Sequence, residues 1–427
     1  MIHSFLAFGL AASVAVVLSG RCLRAADEQR PLVEKYLQGG DLAGGEKALR
    51  AHLTKKPGDS QARFSLGVLQ ALRGIEHLGQ NLYRYGALHD DRSFVNFIPF
   101  LRLPVPTNPN PAKITYEDFR GIFQNVVDDL AKAEATLAKV EDAGVKLPLK
   151  FGLIRLDLNG DGKAGDDELL WKLYAAINRG GRLTEAEVRE GADAAAGFEI
   201  KFDQGDVHWL RGYCHLLSAL AEMVLAYDEE RLFATLGREI FPRSEPAALA
   251  PLRRKGDFED EILQAVTFIH LIDFPIKDEK RMPSALHHLE AVIEQSRLSW
   301  KAIQAETDDD REWIPNPKQK GVIPGVRVTQ QMIDGWHEFL GEAEQLLAGK
   351  KLVPHYFLSR NRGEEMREGI NLRRVFTEPR RFDLVLWVQG SGAVPYWEKG
   401  ESTSPEIWNR FERLFGGEFI GFAFWFN

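Results

Sequence analysis

The sequence has little cysteine, with two residues among 427, and it contains no Cys-X-X-Cys pair. A disulfide framework is therefore excluded as the source of stability. Cys214 lies within the apolar stretch LRGYCHLLSALAEMVL, where we expect a buried structural thiol rather than a reactive one. The composition, 44% apolar and 27% charged, is that of an ordinary globular chain with a sizeable core.

Several catalytic signatures are also missing. The sequence contains no Gly-X-Ser-X-Gly elbow, no glycine-rich phosphate loop and no dinucleotide fingerprint. Positive charge is in deficit, because 54 Lys and Arg residues face 62 Asp and Glu residues, giving a net charge of −8. This balance argues against a nucleic acid or an anionic membrane as the partner.

The N-terminus carries the longest apolar run. Residues 4–20, SFLAFGLAASVAVVLSG, are uncharged and are followed by Arg21, Arg24 and the small pair Ala25-Ala26. This pattern predicts a signal peptide over residues 1–26 and a secreted or periplasmic protein. The alternative is an uncleaved N-terminal anchor, since about 17 apolar residues is the lower limit for a membrane span. The mature chain, with a net charge of −10, has no second such run, so we expect no span in it.

Residues 27–96 predict paired helices with an internal repeat. If Pro57 closes a unit, two units cover residues 26–59 and 60–93. The matching positions are Gly40 with Gly74, which are expected in the turn between the two helices of each unit, Gly45 with Gly79, and Leu49 with Tyr83. In the second unit, Leu66-Gly67 places a large residue beside a small one. The segment resembles the tetratricopeptide repeat, which implies a helical hairpin array; the alternative is a plain pair of helical hairpins.

The rest of the chain predicts a helical body with a different ending. Residues 97–114 are a proline-rich connection, and residues 115–350 form the body, beginning with a capping box of Thr115 and Asp118. Further helices are predicted at 207–227, capped by Asp206, and at 258–274, 283–306 and 329–348. Residues 351–427 are expected to be a mixed α/β segment, with a strand at 382–388 and an aromatic tail, GEFIGFAFWFN. The predicted fold is mainly α-helical.

Residues 157–168, DLNGDGKAGDDE, carry the most specific chemistry in the sequence. Calcium takes about seven oxygen ligands at roughly 2.4 Å, and short acidic or amide side chains at alternate positions converge as a chain curls. Gly162 permits the sharp turn. The segment is similar, position by position, to the calcium-binding loop of the EF-hand family, which implies bound Ca²⁺. The resemblance gives as candidate ligands Asp157, Asn159, Asp161, the carbonyl of Lys163, and Glu168, which is expected in the first turn of the next helix.

This loop differs from a paired EF-hand in two ways. Ala164 occupies the eighth position, where paired hands place Ile, Leu or Val, and no second loop follows within about 40 residues. We therefore expect a lone calcium loop with a mainly structural role. The competing interpretation is a surface turn without an ion.

Taken together, these patterns predict an exported calcium-binding helical scaffold with a protein partner. One alternative is a hydrolase that uses His208, His215 and Glu222 on the helix at 207–227, with structural calcium. Another is a small-ligand carrier built on the aromatic C-terminal region. The acidic run at 306–312 is expected to be a solvated loop.

Overall fold

The computed structural model describes residues 30–88, 99–179, 185–245, 258–322, 327–355 and 368–414. Most of these residues are helical, and the predicted mainly α-helical fold with a small mixed C-terminal part is confirmed. The predicted leader at 1–26 and the aromatic tail at 417–427 lie outside the described residues. Within the described residues, no helix combines the length and apolar character needed to cross a membrane.

The helices in chain order are α1 (Glu34–Gly39), α2 (Leu42–Lys55), α3 (Ser60–Tyr85), α4 (Tyr116–Leu137), α5 (Leu170–Arg179), α6 (Glu185–Gly197), α7 (Gln204–Ala226), α8 (Glu230–Ile240), α9 (Phe258–Leu271), α10 (Arg281–Ala305), α11 (Gln330–Leu347), α12 (Leu372–Thr377), α13 (Leu384–Gln389) and α14 (Pro405–Leu414). Short strands pair as antiparallel ladders: β1 (Leu147–Leu149) with β2 (Ile200–Phe202), β3 (Asp273–Phe274) with β5 (Phe382–Asp383), and β4 (Glu368–Ile370) with β6 (Trp397–Lys399).

The N-terminal helix boundaries agree with the predicted turn at Gly40 but not with the one at Gly74. Gly40, at φ 71°, ends α1 and leads into α2, as the hairpin prediction requires. The turn predicted at Gly74 is wrong, because α3 runs unbroken for 26 residues through that position. The glycines of α3 instead permit close packing. A Cβ at Gly79 would lie 2.5 Å from Leu158 Cδ2, so this helix closely approaches the loop at residues 157–168.

Helix α7 is the centre of the body. It packs against α4 and α10, while α4 packs in turn against α3. Cys214 on α7 is buried and unbonded to another cysteine, as predicted. The helix starts earlier than the sequence predicts: Asp203 is the N-cap, and Asp206 is the third helical residue, whose carboxylate accepts a hydrogen bond from the Asp203 amide.

The strand predicted at 382–388 is largely wrong. Only Phe382–Asp383 is extended, and residues 384–389 form α13. The reason is local capping: the Asp383 carboxylate accepts a 2.9 Å hydrogen bond from the Leu386 amide, and Gly390 ends the helix at φ 108°. These caps outweigh the β-forming tendency of the valines between them.

The contact of Gly67 with Leu137 gives a direct test of the α3–α4 interface. A Cβ at Gly67 would lie 2.4 Å from Leu137 Cδ2, whereas a Cβ at Gly121 on α4 would meet no atom within 4 Å. We expect Gly67→Ala to lower the free energy of unfolding by about 1–3 kcal/mol, because the added methyl group would overpack the interface. Gly121→Ala should raise it by up to about 1 kcal/mol through helix propensity. Urea unfolding compares the two variants, and equal stabilisation by both would contradict this packing.

Candidate calcium site

Backbone pairing closes the two ends of the predicted calcium loop. The Leu156 amide donates to the Glu168 carbonyl at 3.2 Å, and the Leu170 amide donates to the Ile154 carbonyl at 2.8 Å. Ile154, Leu156 and Leu158 are buried and alternate with Arg155 and Asp157, so the incoming strand-like segment is anchored in the core. The positions of the two ends of the loop at 157–168 are therefore fixed by backbone hydrogen bonds and by burial in the core.

The loop turns sharply where the sequence predicts it. Gly162 adopts φ 82° and Gly160 adopts φ 73°, conformations that disfavour a side chain. The Asp157 carboxylate lies inside this turn, accepting hydrogen bonds from the Gly160 amide at 2.8 Å and the Gly162 amide at 2.9 Å. Asn159 and Asp161 each accept from the amide two residues further along.

Glu168 closes the loop from its opposite end. Its side chain is buried, and its two oxygens accept hydrogen bonds from the Leu158 amide at 2.8 Å and the Gly165 amide at 2.7 Å. Glu168 belongs to a single 3₁₀ turn, Asp166–Glu168, and not to the first turn of α5 as predicted from sequence. Two buried carboxylates, Asp157 and Glu168, thus mark the two ends of the candidate ligand set.

Helix α3 holds the loop through two side chains that the sequence analysis did not identify. Glu76 accepts a 3.0 Å hydrogen bond from the Asp157 amide, and Gln80 donates a 2.9 Å hydrogen bond to the Asp157 carbonyl. Burial, together with the nearby Asp157 carboxylate, raises the pKa of Glu76 to about 7. Glu76 and Gln80 are four residues apart, so both lie on one face of α3, and this spacing is the only signal for the contact in the sequence.

The unusual Ala164 has a structural explanation. A Cβ built on Gly40 would lie 2.2 Å from the Ala164 Cβ, so the loop packs directly on the turn between α1 and α2. A larger side chain at residue 164 has no room there. The Ala164 side chain of the loop therefore contacts the turn between α1 and α2.

The chemistry of the donor set fits a hard cation. Asp157, Asn159, Asp161 and Glu168 offer oxygen ligands, and each carboxylate oxygen that accepts one amide retains a free lone pair. However, the three carboxylates of this donor set do not each place an oxygen within 4.8 Å of the other two. Among the described residues, the set that does is elsewhere in the molecule.

That set consists of Asp203, Glu306 and Glu312, beyond the end of α10. Glu312 is only 2% exposed and Glu306 is partly buried, so the solvated loop predicted at 306–312 is wrong at these two positions. Burial, with Asp203 next to it, raises the pKa of Glu306 to about 9, and burial also raises that of Glu312. The nearest cation is Lys146, whose Nζ lies 4.0 Å from Asp203. Sequence spacing could not reveal this cluster, since Asp203 is about a hundred residues away.

The three residues proposed for a hydrolase do not form one constellation. Each binds a different residue on α10: His208 pairs with Gln295 at 2.9 Å, His215 with His288 at 2.9 Å, and Glu222 with Arg281 at 3.0 Å. This pattern is that of polar groups satisfied at a helix interface.

The His215–His288 pair lies beside an ion pair of α4 and α7. Arg211 donates to Glu134 at 2.8 Å, and His215 Nε2 lies 3.7 Å from the same carboxylate. His215 and Arg211 hold the pKa of Glu134 at about 2. Burial, together with its histidine neighbours, lowers the pKa of His288 to about 4.

Comparison with protein-family models, with characterised proteins and with solved structures found no match for this chain. The functional argument therefore depends on the chemistry of these sites alone.

The lowered pKa of His288 predicts acid sensitivity. Between pH 6.5 and about 4 the unfolded chain takes up a proton on this residue and the folded chain does not, so the free energy of unfolding should fall as the pH falls through this window. His288→Gln should flatten the dependence there, whereas substitution of the exposed His270 by Gln should leave it unchanged. Chemical unfolding at pH 7, 5.5 and 4.5 measures the slopes, and an equal slope in native and His288→Gln protein would contradict the assignment.

Proposed function

We propose that this protein is an exported calcium-binding helical scaffold in which calcium is mainly structural. The observation that supports the proposal best is the preformed loop at 157–168, with its buried Asp157 and Glu168 carboxylates and its two left-handed glycines. In this proposal the ion is held by Asp157, Asn159, Asp161, the Lys163 carbonyl and Glu168. The supporting argument for export is the apolar run at 4–20 with the small residues at 25–26.

The position of the loop supports a structural role for the ion. The loop contacts the turn after α1 at Gly40, contacts α3 through Glu76 and Gln80, and leads into α5. A cation at its centre would hold these three parts in a fixed relation. At a free calcium level 100 times the Kd, binding would stabilise the fold by about 2.7 kcal/mol.

An exposed apolar surface supports a protein partner. Helices α9 and α13 contact each other and expose several large apolar side chains. The exposed residues are Ile262, Leu263, Val266, Ile269, Val385, Leu386 and Val388. Contiguous apolar side chains on a surface are typical of a protein contact region. The hydrolase alternative has weaker support, because its candidate residues bind separate partners on α10.

Calcium titration of the chelator-treated protein tests the proposal. Calorimetry should detect one Ca²⁺ per chain, and the melting temperature should rise on binding. Glu168→Gln should weaken binding at least tenfold, because it replaces a buried anionic ligand by a neutral one. Asp167→Asn is the matched control: it removes a charge at an exposed neighbouring side chain outside the ligand set, and should retain binding.

Two results would contradict the proposal. Absence of both binding heat and thermal shift in the native protein would leave a surface turn without an ion. Equal calcium affinity in the native and Glu168→Gln proteins would place the ion at another site, with the buried carboxylates around Asp203 as the first alternative.

The contact of Ala164 with Gly40 makes a second prediction. Ala164→Ile introduces a residue type that paired EF-hands have at the eighth loop position. It should lower the free energy of unfolding by about 1–3 kcal/mol, because the larger side chain would overlap the turn after α1. Calcium affinity should fall as well, since the loop is displaced. Lys163→Ala is the control, because only the carbonyl of that residue is a ligand. Thermal unfolding with and without calcium measures both effects; an unaltered melting temperature in Ala164→Ile would refute the packing argument.

A further inference from the structure

A cavity of about 90 Å³ lies in the helical body. Helices α3, α4 and α7 supply most of its wall, through residues such as Ala71, Leu130 and Leu217. Phe151, Phe202 and Trp313 complete it.

The size and wall of the cavity point to a ligand. Protein interiors rarely leave voids larger than a water molecule, and about 10–15 Å³ of such space holds one water. The cavity could therefore hold several waters, but its wall is almost entirely apolar and offers them few partners. Cavities of this kind stay dry or take up small apolar molecules.

One side of the wall is aromatic. The ring of Trp209 lies 4.6 Å from that of Tyr213 and 5.6 Å from that of Trp313, centroid to centroid. Phe151 and Phe202 lie 5.9 Å apart and each is 6.4 Å from Trp313. These five rings form one connected set of contacts, which gives a surface suited to an aromatic or flat aliphatic molecule.

Two hydrogen-bond donors in these lining residues lack partners. The Tyr213 hydroxyl and the Trp313 indole N–H are both buried, and neither meets an acceptor. Leaving a buried donor without an acceptor is costly, so an acceptor atom brought by a ligand would relieve the cost.

The charge around the cavity selects against ions. Asp206 lines the cavity, and Asp203, whose amide donates a hydrogen bond to Asp206, belongs to the acidic cluster with Glu306 and Glu312, so an anion would approach a group of acidic side chains. Burial raises the pKa of Asp206 well above its ordinary range. An ion of either sign would also lose its hydration against a wall that is almost entirely apolar.

We propose that the cavity is a binding site for a small, uncharged, largely apolar molecule that carries one hydrogen-bond acceptor, held by the aromatic wall and by Tyr213 and Trp313. This activity goes beyond calcium binding and does not depend on it. It also places a carrier site in the helical body and not in the C-terminal region, where the sequence had suggested one.

Four probes of one size test the proposal with the full-length protein. Acetophenone has the ring and an acceptor oxygen, and α-methylstyrene replaces that oxygen by an isosteric CH₂ group. 1-Phenylethylamine and benzoate are the cationic and anionic counterparts. Saturation-transfer NMR and calorimetry should show saturable binding of acetophenone to one site, with α-methylstyrene roughly three- to tenfold weaker and both ions weaker still.

Variants locate the binding site. Tyr213→Phe should remove much of the preference for acetophenone over α-methylstyrene, whereas Tyr85→Phe, at a buried tyrosine outside the cavity wall, should keep it. Ala71→Leu should fill the cavity and abolish binding of both. Circular dichroism confirms folding, and if Ala71→Leu fails to fold, the tyrosine pair decides alone.

Four results would overturn the proposal. The first is no saturable binding of acetophenone, as expected if water fills the cavity. The second is equal binding of acetophenone and α-methylstyrene in the native protein, which would remove the role of the acceptor. The third is tighter binding of either ion than of acetophenone. The fourth is an unchanged acetophenone preference in Tyr213→Phe.

Discussion

The burial of α7 between α4 and α10 is the constraint on which the rest of the body depends. A helix covered on two sides buries polar side chains that need partners, and three of those on α7, His208, His215 and Glu222, find them on α10 at Gln295, His288 and Arg281. The same burial places its N-terminal cap, Asp203, among other carboxylates. The histidine pair, the acidic cluster and the apolar cavity are therefore three consequences of one packing arrangement.

The loop at 157–168 depends on a different part of the molecule. Its acidic side chains bind its own backbone, which fixes its shape, while α3 and the turn at Gly40 fix its position. The loop is therefore supported by helices that come earlier in the chain.

The sequence predicted the features that depend on nearby residues. The capping box of Thr115 and Asp118, the helix predicted at 329–348, and the turn at Gly162 follow from contacts within a few positions, and all are present. The predictions at Gly74 and at 382–388 failed because competing local signals, helix continuity and an aspartate cap, prevailed. Glu76, Trp313 and the cluster at Glu306 could not be found, since their partners lie about eighty or more residues away and only the tertiary fold brings them together.

The attachment of the loop to α3 has a kinetic consequence. The hydrogen bond between the Asp157 amide and Glu76 joins residues 81 positions apart, and the bond from Gln80 spans 77. Contacts of such separation carry a large loop-closure entropy and tend to form after local helices have assembled. An interaction that appears only after the transition state changes the rate of unfolding and leaves the rate of folding nearly the same. A cation bound in the loop, as proposed, would thus slow the unfolding of the chain and leave its rate of folding nearly unchanged.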